Sequence, residues 1–303
     1  MTAPAVPVCY RHPGRETYVS CTRCARPICP DCMTEAAVGF QCPECVSAGR
    51  RTQRQARTAF GASRAGYAGY ATITLVALNV LGMLVGLVVA GVPSVVGRGL
   101  FTDVTKLQMM FGSFAPTYDI VSGSVPAGTQ VGESYTGIDD GAVYRLVTSM
   151  FVHYGILHLL LNMWALWMLG RNLEAALGPV RFVALYMLSG LGGSIAGYLF
   201  SPESISAGAS GAIFGLFAAL FVVLKRLRRD TSSVVPILVI NLVLTFTIPN
   251  ISIAGHLGGL VTGAIVAAGL AYAPRQGRTA VQTATVVGVA LILAMLVVVG
   301  MVA

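Results

Sequence analysis

From Gly69 onward, long apolar runs alternate with short polar connections, whereas residues 1–68 contain no comparable run. An α-helix that crosses the hydrocarbon core of a bilayer needs about 20 apolar residues. Runs of that order lie near 69–91, 153–170, 179–200, 208–224, 233–249, 252–273 and 280–302, which predicts seven membrane spans. Lys and Arg collect on the cytoplasmic side of such spans, so their positions give a direction. Arg50, Arg51, Arg54, Arg57 and Arg64 precede the first run, and Arg171 and Arg181 flank the turn between the second and third. Lys225, Arg226, Arg228 and Arg229 follow the fourth, and Arg275 and Arg278 follow the sixth. All four clusters fall on one side if the runs alternate in direction, while the connections 201–207 and 247–250 carry neither residue. The pattern predicts a multi-pass protein of the cell (plasma) membrane with a cytoplasmic N-terminus and an external C-terminus. The first fifty residues lack the apolar stretch of a cleavable signal, in keeping with that orientation.

One connection stands apart. The external loop at about 92–152 is far longer than the others and carries Asp103, Asp119, Glu133, Asp139 and Asp140 among Gly, Ser and Pro. Within it, 101–114 is a candidate for a short amphipathic helix lying in the interface. Composition supports the membrane reading, since 55% of the 303 residues are hydrophobic and only 11% charged. The net charge of +8 is accounted for mainly by the membrane flanks, so no nucleic-acid partner is expected.

The seven cysteines all precede residue 46, and an odd number argues against a closed disulfide set. With His12 they form four pairs of identical spacing: Cys9 and His12, Cys21 and Cys24, Cys29 and Cys32, Cys42 and Cys45. A two-residue gap lets one turn present two donors to a tetrahedral ion, and eight donors complete two four-ligand zinc sites. With no coordination position left open, the two zinc ions are expected to be structural. The order CxxH, CxxC, CxxC, CxxC, with Arg26-Pro27-Ile28-Cys29, resembles a B-box-type zinc finger over about residues 9–45. The resemblance implies a cross-brace, with Cys9, His12, Cys29 and Cys32 on one ion and Cys21, Cys24, Cys42 and Cys45 on the other. Spacing alone leaves sequential pairing open. Such a module lets a segment too short for a core fold around metal, and it offers a docking site for a cytoplasmic protein partner.

Ionisable groups inside a bilayer are costly and therefore mark candidate function. The membrane part has three histidines, His153, His158 and His256, and after Gly141 its acids are only Glu174, Glu203 and Asp230, all at predicted span ends. The lack of a mid-membrane carboxylate argues against an ion-coupled transporter. His158 and Asn162 fall near the outer end of the second run, Ser210 opens the fourth, and His256 lies about one turn into the sixth. Polar groups from three helices are thus expected at similar depth, which is the signature of a site.

Gly208-Ala209-Ser210-Gly211 at a helix start, the later Ala254-x-His256-x-x-Gly259-x-x-x-Gly263 and the earlier His158-x-x-x-Asn162 together resemble the signature of the rhomboid family. Tyr144-Arg145 is similar to that family's Trp-Arg pair, with Tyr in place of Trp. The resemblance covers about residues 69–273. It implies an all-α polytopic fold: a six-span rhomboid core at 69–273 and, after it, a connector and seventh span at 274–303. A double zinc module at 1–48 and a basic linker at 49–68, lying along the anionic inner leaflet, would precede the core. The implied activity is intramembrane serine proteolysis of single-span transmembrane substrates within the lipid bilayer, near its outer face, with no cofactor in the reaction.

A serine hydroxyl needs a base to become a nucleophile, and His256 is the one histidine of the sixth run. Ser210 and His256 would form a dyad without an acid. Backbone N–H groups at a helix start lack intrahelical partners, so the N–H of Ser210 is expected to face an oxyanion. By resemblance, His158 and Asn162, whose i, i+4 spacing puts both on one helix face, complete the oxyanion hole. Gly211 with Gly215 and Gly259 with Gly263 would let the two helices close to dyad distance. Phe214 is expected against the His256 ring, and His153 in a structural hydrogen bond near the loop. The competing readings are a catalytically silent rhomboid-like protein for membrane binding or quality control, and a zinc-module scaffold with a membrane anchor.

Overall fold

The computed structural model describes residues 6–52, 57–62, 69–96, 103–121 and 125–302. Arg54 and Arg64 of the expected linker, and residues 101 and 102 of the expected interfacial stretch, lie outside them. The chain divides into two units, Met1–Ala56 and Arg57–Ala303.

The first unit has almost no aliphatic interior. Its buried cluster is Cys9, Cys21, Ile28, Cys29, Cys32 and Cys42, so five of six members are thiols. Around them, β1 (Thr34–Glu35) pairs antiparallel with β2 (Phe40–Gln41) in the register Thr34↔Gln41 and Glu35↔Phe40. Helix α1 (Pro43–Thr52) follows, and Arg50 and Arg51 lie in its last turn, where they complement the helix dipole. The expected linker at 49–68 therefore begins inside a helix.

The second unit is helical throughout its apolar runs: α2 (Tyr70–Ala90), α5 (Gly155–Leu177), α6 (Pro179–Phe200), α7 (Ser210–Arg226), α8 (Val234–Thr247), α9 (Ile253–Tyr272) and α10 (Arg278–Val302). The short helices α3 (Lys106–Phe111) and α4 (Arg145–Thr148) belong to the long loop. By length and apolarity alone, α2, α6, α9 and α10 can each cross a membrane. A fifth crossing forms if α5 is joined to Arg145–Phe151, from which it bends by 91°. Helices α7 and α8, at 17 and 14 residues, are shorter than a full crossing.

Glycine decides which helices sit innermost. A Cβ on Gly259 would lie 2.0 Å from the Gly211 carbonyl oxygen, and one on Gly263 would lie 2.3 Å from Gly215 Cα. A Cβ on Gly258 would meet the Gly192 carbonyl oxygen of α6 at 2.6 Å. Backbones of α6, α7 and α9 thus touch directly, as small-residue packing allows in membranes. In α6, 61% of the apolar window is buried, against 6% in α10, so α10 lies at the periphery with its apolar side chains facing outward.

Polar tethers fix the directions. The buried carboxylate of Glu174, near the end of α5, accepts from Ala71 N (3.1 Å), Thr72 N (2.9 Å) and Thr72 Oγ1 (2.7 Å) at the start of α2. It caps that helix across 102 residues of chain, a role that its position at a span end did not suggest. At this same end, Arg226 Nε of α7 donates to the Ala271 carbonyl of α9 (3.2 Å), and Gln282 Nε2 of α10 donates to Leu270 O (2.8 Å). The starts of α7 and α9, with Ser210 and His256, lie at the other end.

The long loop folds back onto that other end. Strand β3 (Tyr118–Asp119) pairs with β4 (Ser134–Tyr135), and Ser113 and Ser206 exchange backbone hydrogen bonds of 2.8 Å in each direction. Arg145, 1% exposed, donates to the carbonyls of Thr136 (2.7 Å), Met109 (2.8 Å) and Gly112 (3.1 Å), and its guanidinium lies over the Phe114 ring. Within the stretch 101–114 the helix is α3, six residues long; it buries Leu107 and Met109, and Leu107 fills the space left by Gly86 of α2. Lys106, bound to Glu133 at 2.7 Å, holds that carboxyl below its ordinary range.

Candidate active site

Ser210 is the first residue of α7, and Ile213 is the first whose N–H bonds backward, to Ala209 O (3.0 Å). The N–H groups of Ser210 and Gly211 therefore have no intrahelical acceptor and point out of the helix start. Gly208 reaches this start at φ +130°, and a Cβ there would lie 2.7 Å from Cε1 and 3.0 Å from Nε2 of His158. Both backbone angle and space require glycine, because the His158 ring lies over this turn beside Ser210.

Within the first turn of α9, His256 is buried, and its Nε2 lies 2.8 Å from Ser210 Oγ. Phe214 stacks on its ring at 4.2 Å between centroids and 19° between planes. The opposite ring nitrogen, Nδ1, lies 2.8 Å from Thr245 Oγ1 of α8. Thr245 also donates to Asn241 O at 2.8 Å. A hydroxyl has one hydrogen, so once it is used on Asn241 the oxygen accepts from Nδ1–H, and Nε2 keeps its lone pair toward Ser210. Thr245 is the residue that sequence reasoning missed. A threonine in an apolar helix ordinarily bonds its own i−4 carbonyl, and nothing local distinguishes this one.

The other expected residues converge less uniformly. His158 Nδ1 accepts from Tyr154 N (3.2 Å), which turns Nε2 toward Gly208. Asn162 shares that helix but donates Nδ2 to His158 O (2.8 Å), leaving its second N–H to be placed. His153 is fully buried: its carbonyl accepts from Gln108 (2.9 Å), and its Nε2 lies 3.5 Å from Ala209 N. Its ring meets His158 edge-on at 5.0 Å.

In the first unit the eight expected metal donors form two groups, Cys9, His12, Cys29 and Cys32, and Cys21, Cys24, Cys42 and Cys45. Within each, all donor atoms lie within 4.8 Å of one another. His12 Nδ1 is 3.2 Å from Cys29 Sγ and 3.5 Å from Cys32 Sγ, and Cys24 and Cys42 sulfurs are 3.8 Å apart. A tetrahedral ion with Zn–S bonds of about 2.3 Å needs sulfurs about 3.8 Å apart, so the donors fit zinc. Protonation points the same way. Burial opposes ionisation of Cys9, yet N–H groups at Cys29, Arg11 and His12 bring its thiol down to about 6. Burial and the neighbouring Cys9 and Cys29 push Cys32 up to about 11. In the second group Cys21 is likewise lowered to about 6, while Cys42, and then burial, raise Cys45 to about 12. Sulfurs this crowded cannot all ionise unless a cation joins them.

A hydrogen-bonded serine–histidine pair between glycine-packed apolar helices defines the class: a multi-pass α-helical membrane protein with a polar site inside its bundle. Comparison with known proteins narrows it. The family described as Rhomboid domain matches residues 140–273. Rhomboid protease GluP of Bacillus subtilis is 43% identical over 145 residues, which are 46% of this chain and 28% of that one. RHOMBOID-like protein 2 of Arabidopsis thaliana is 38% identical over 149 residues, 47% of each chain. A second Bacillus subtilis relative, YdcA, is 36% identical over 133 residues, 42% of this chain and 67% of that one. The chain belongs to the rhomboid family. It spans about half or less of the length of GluP and RHOMBOID-like protein 2.

Proposed function

We propose that this protein is an intramembrane serine endopeptidase that cleaves transmembrane-helix substrates near the outer face of the cell membrane. The observation that carries the reading is the 2.8 Å contact between His256 Nε2 and Ser210 Oγ, with Thr245 on the other ring nitrogen. His256 takes the proton of Ser210 as Oγ attacks the substrate carbonyl. The tetrahedral oxyanion forms beside the unpaired N–H of Ser210 at the helix start, with His158 and the second N–H of Asn162 as side-chain donors. His256 then gives its proton to the leaving amine, and a water molecule repeats the sequence on the acyl-enzyme. The substrate helix unwinds to expose its peptide bond, because an intact helix hides it.

In this reading residues 69–273 form the protease core, 274–303 add a seventh span, and 1–48 form a cytoplasmic module that docks a protein partner. Zinc held by the two four-residue groups would supply the cohesion that this module's aliphatic side chains do not.

The test is cleavage of a single-span substrate by purified protein in detergent, together with labelling by a fluorophosphonate probe. Ser210→Ala and His256→Ala abolish both. His158→Ala and Asn162→Ala each weaken cleavage roughly 10- to 1000-fold, as loss of one oxyanion donor does. Full cleavage by Ser210→Ala sinks the assignment. Wild-type protein that is folded yet neither labels nor cleaves would instead identify a silent member of the family.

A further inference from the structure

At the end of the bundle away from Ser210, a cavity of about 570 Å³ opens where α7, α9 and α10 meet the segment at 57–62. Its size falls in the range of about 300–1,000 Å³ typical of small-molecule sites. Arg57, Arg226, Arg275 and Arg278 line it, and among the described residues no acidic one does. The guanidinium contacts that hold them are to carbonyls: Arg57 to Gly61 (3.2 Å), Arg226 to Ala271 (3.2 Å) and Arg278 to Ala59 (3.3 Å). A fifth guanidinium is tied to the same corner. Arg181 Nε donates to Gln282 Oε1 (2.7 Å), and Gln282 Nε2 reaches the carbonyl of Phe60, a residue of the cavity wall.

Among the described residues, the ion pairs lie elsewhere, at Arg15–Asp31, Arg26–Glu44 and Lys106–Glu133. Glu174, at the same end of the bundle, is committed to the start of α2, and Asp230, close beyond α7, is bound to Ser232. Each guanidinium carries five N–H donors, so most donors of this corner remain to be used. Thr279 and Ala280, in the first turn of the 25-residue helix α10, line the same cavity and add the positive end of its dipole. Converging guanidinium groups and a helix start, without a carboxylate, select a phosphate group.

We propose that this cavity binds the phosphate headgroup of an anionic phospholipid. A lipid is favoured over a soluble anion because the cavity sits at the ends of apolar helices whose outer faces are exposed. Tyr272 is 58% exposed beside it, with Arg226 lying over its ring at 5.5 Å, an arrangement suited to the headgroup layer. The bound headgroup neutralises the arginine corner and ties peripheral α10 to α7 and α9. The 17 residues of α7, about 25 Å, separate it from Ser210, so it is a site distinct from the dyad.

The test uses the full chain in zwitterionic detergent, titrated separately with phosphatidylglycerol, phosphatidylcholine and inorganic phosphate. Native mass spectrometry reads retained lipid, and thermal unfolding reads stabilisation. One phosphatidylglycerol per chain is expected, held at least about tenfold more tightly than phosphatidylcholine and more weakly as salt rises. The double substitution Arg275→Gln and Arg278→Gln lowers that affinity about tenfold or more, whereas Arg275→Lys with Arg278→Lys keeps most of it. Should the double Gln variant unfold, Arg57→Gln alone, on a short segment outside the helices, is expected to weaken binding several-fold. Equal retention of the two lipids, or phosphatidylglycerol binding indifferent to these substitutions, overturns the proposal. Inorganic phosphate stabilising as well as phosphatidylglycerol at equal concentration replaces the lipid by a soluble phosphate and overturns the lipid assignment. None of these readouts uses peptidase activity, so the proposed function stands or falls separately.

Discussion

A histidine base works only if the correct nitrogen is unprotonated, and that choice is made by the hydrogen bond at the other nitrogen. Here Thr245 Oγ1 makes it, because its own hydrogen goes to Asn241 O and its oxygen can only accept from His256 Nδ1. Under the proposed mechanism Thr245 is a positioning residue: it touches neither substrate nor oxyanion. Thr245→Val is isosteric yet cannot accept, so the turnover number is expected to fall roughly 10- to 100-fold, with KM little changed. The activity–pH profile should shift with it, since the tautomer is no longer held, and Thr245→Ser should restore both rate and profile. A Val variant that matches wild type in rate and profile would show that the threonine only packs.

At the scale of elements, the Ser–His distance is set by how closely α7 approaches α9. Gly259 and Gly263 place backbone against backbone there, with no side chain able to rotate away. Gly259→Ala must separate the helices, at about 1–3 kcal/mol in stability. A displacement of about 1 Å between reacting groups can remove 100-fold in rate, so activity should drop far more than the melting temperature suggests. Gly288→Ala in α10 is the control, because its Cβ would meet nothing within 4 Å. Equal activity of the two variants would detach catalysis from helix approach. The same logic explains the glycine that opens the GASG sequence: Gly208 yields its space to the His158 ring.

For the whole molecule, the division into two units separates the two kinds of chemistry. Every metal-donor candidate lies in Met1–Ala56, and every candidate catalytic residue lies in Arg57–Ala303. Elemental analysis of the purified chain should find about two zinc ions, and Cys24→Ser should leave about one. Fluorophosphonate labelling and cleavage in detergent should be unchanged in that variant. A metal content near one in the wild type would remove the double site. Loss of cleavage by a Cys24→Ser protein with an intact membrane unit would show that the units are coupled. Across the membrane unit, the two polar sites lie at opposite ends: the dyad and His158 at one, Glu174 and the arginine corner at the other.

Much of this was legible in the chain because it is local. Apolar runs, two-residue Cys and His spacings and the GASG, AxHxxG and HxxxN motifs depend only on neighbours in sequence, and helix period carries them into space. They located the helices of the bundle, the four Cys and His pairs and the neighbourhood of Ser210, His256 and His158. What they could not specify is which side-chain atoms meet across helices, since that depends on rotation and depth of one packed helix against another. Only the tertiary structure brought Thr245 of α8 to Nδ1 of His256 and carried Glu174 to the start of α2, 102 residues away. It set Leu107 of α3 against Gly86 of α2. Arg57, Arg181, Arg226, Arg275 and Arg278 read along the chain as ordinary flanks of separate spans. Helix packing gathers them into one corner, because the starts of α6 and α10 and the ends of α7 and α9 finish at the same level.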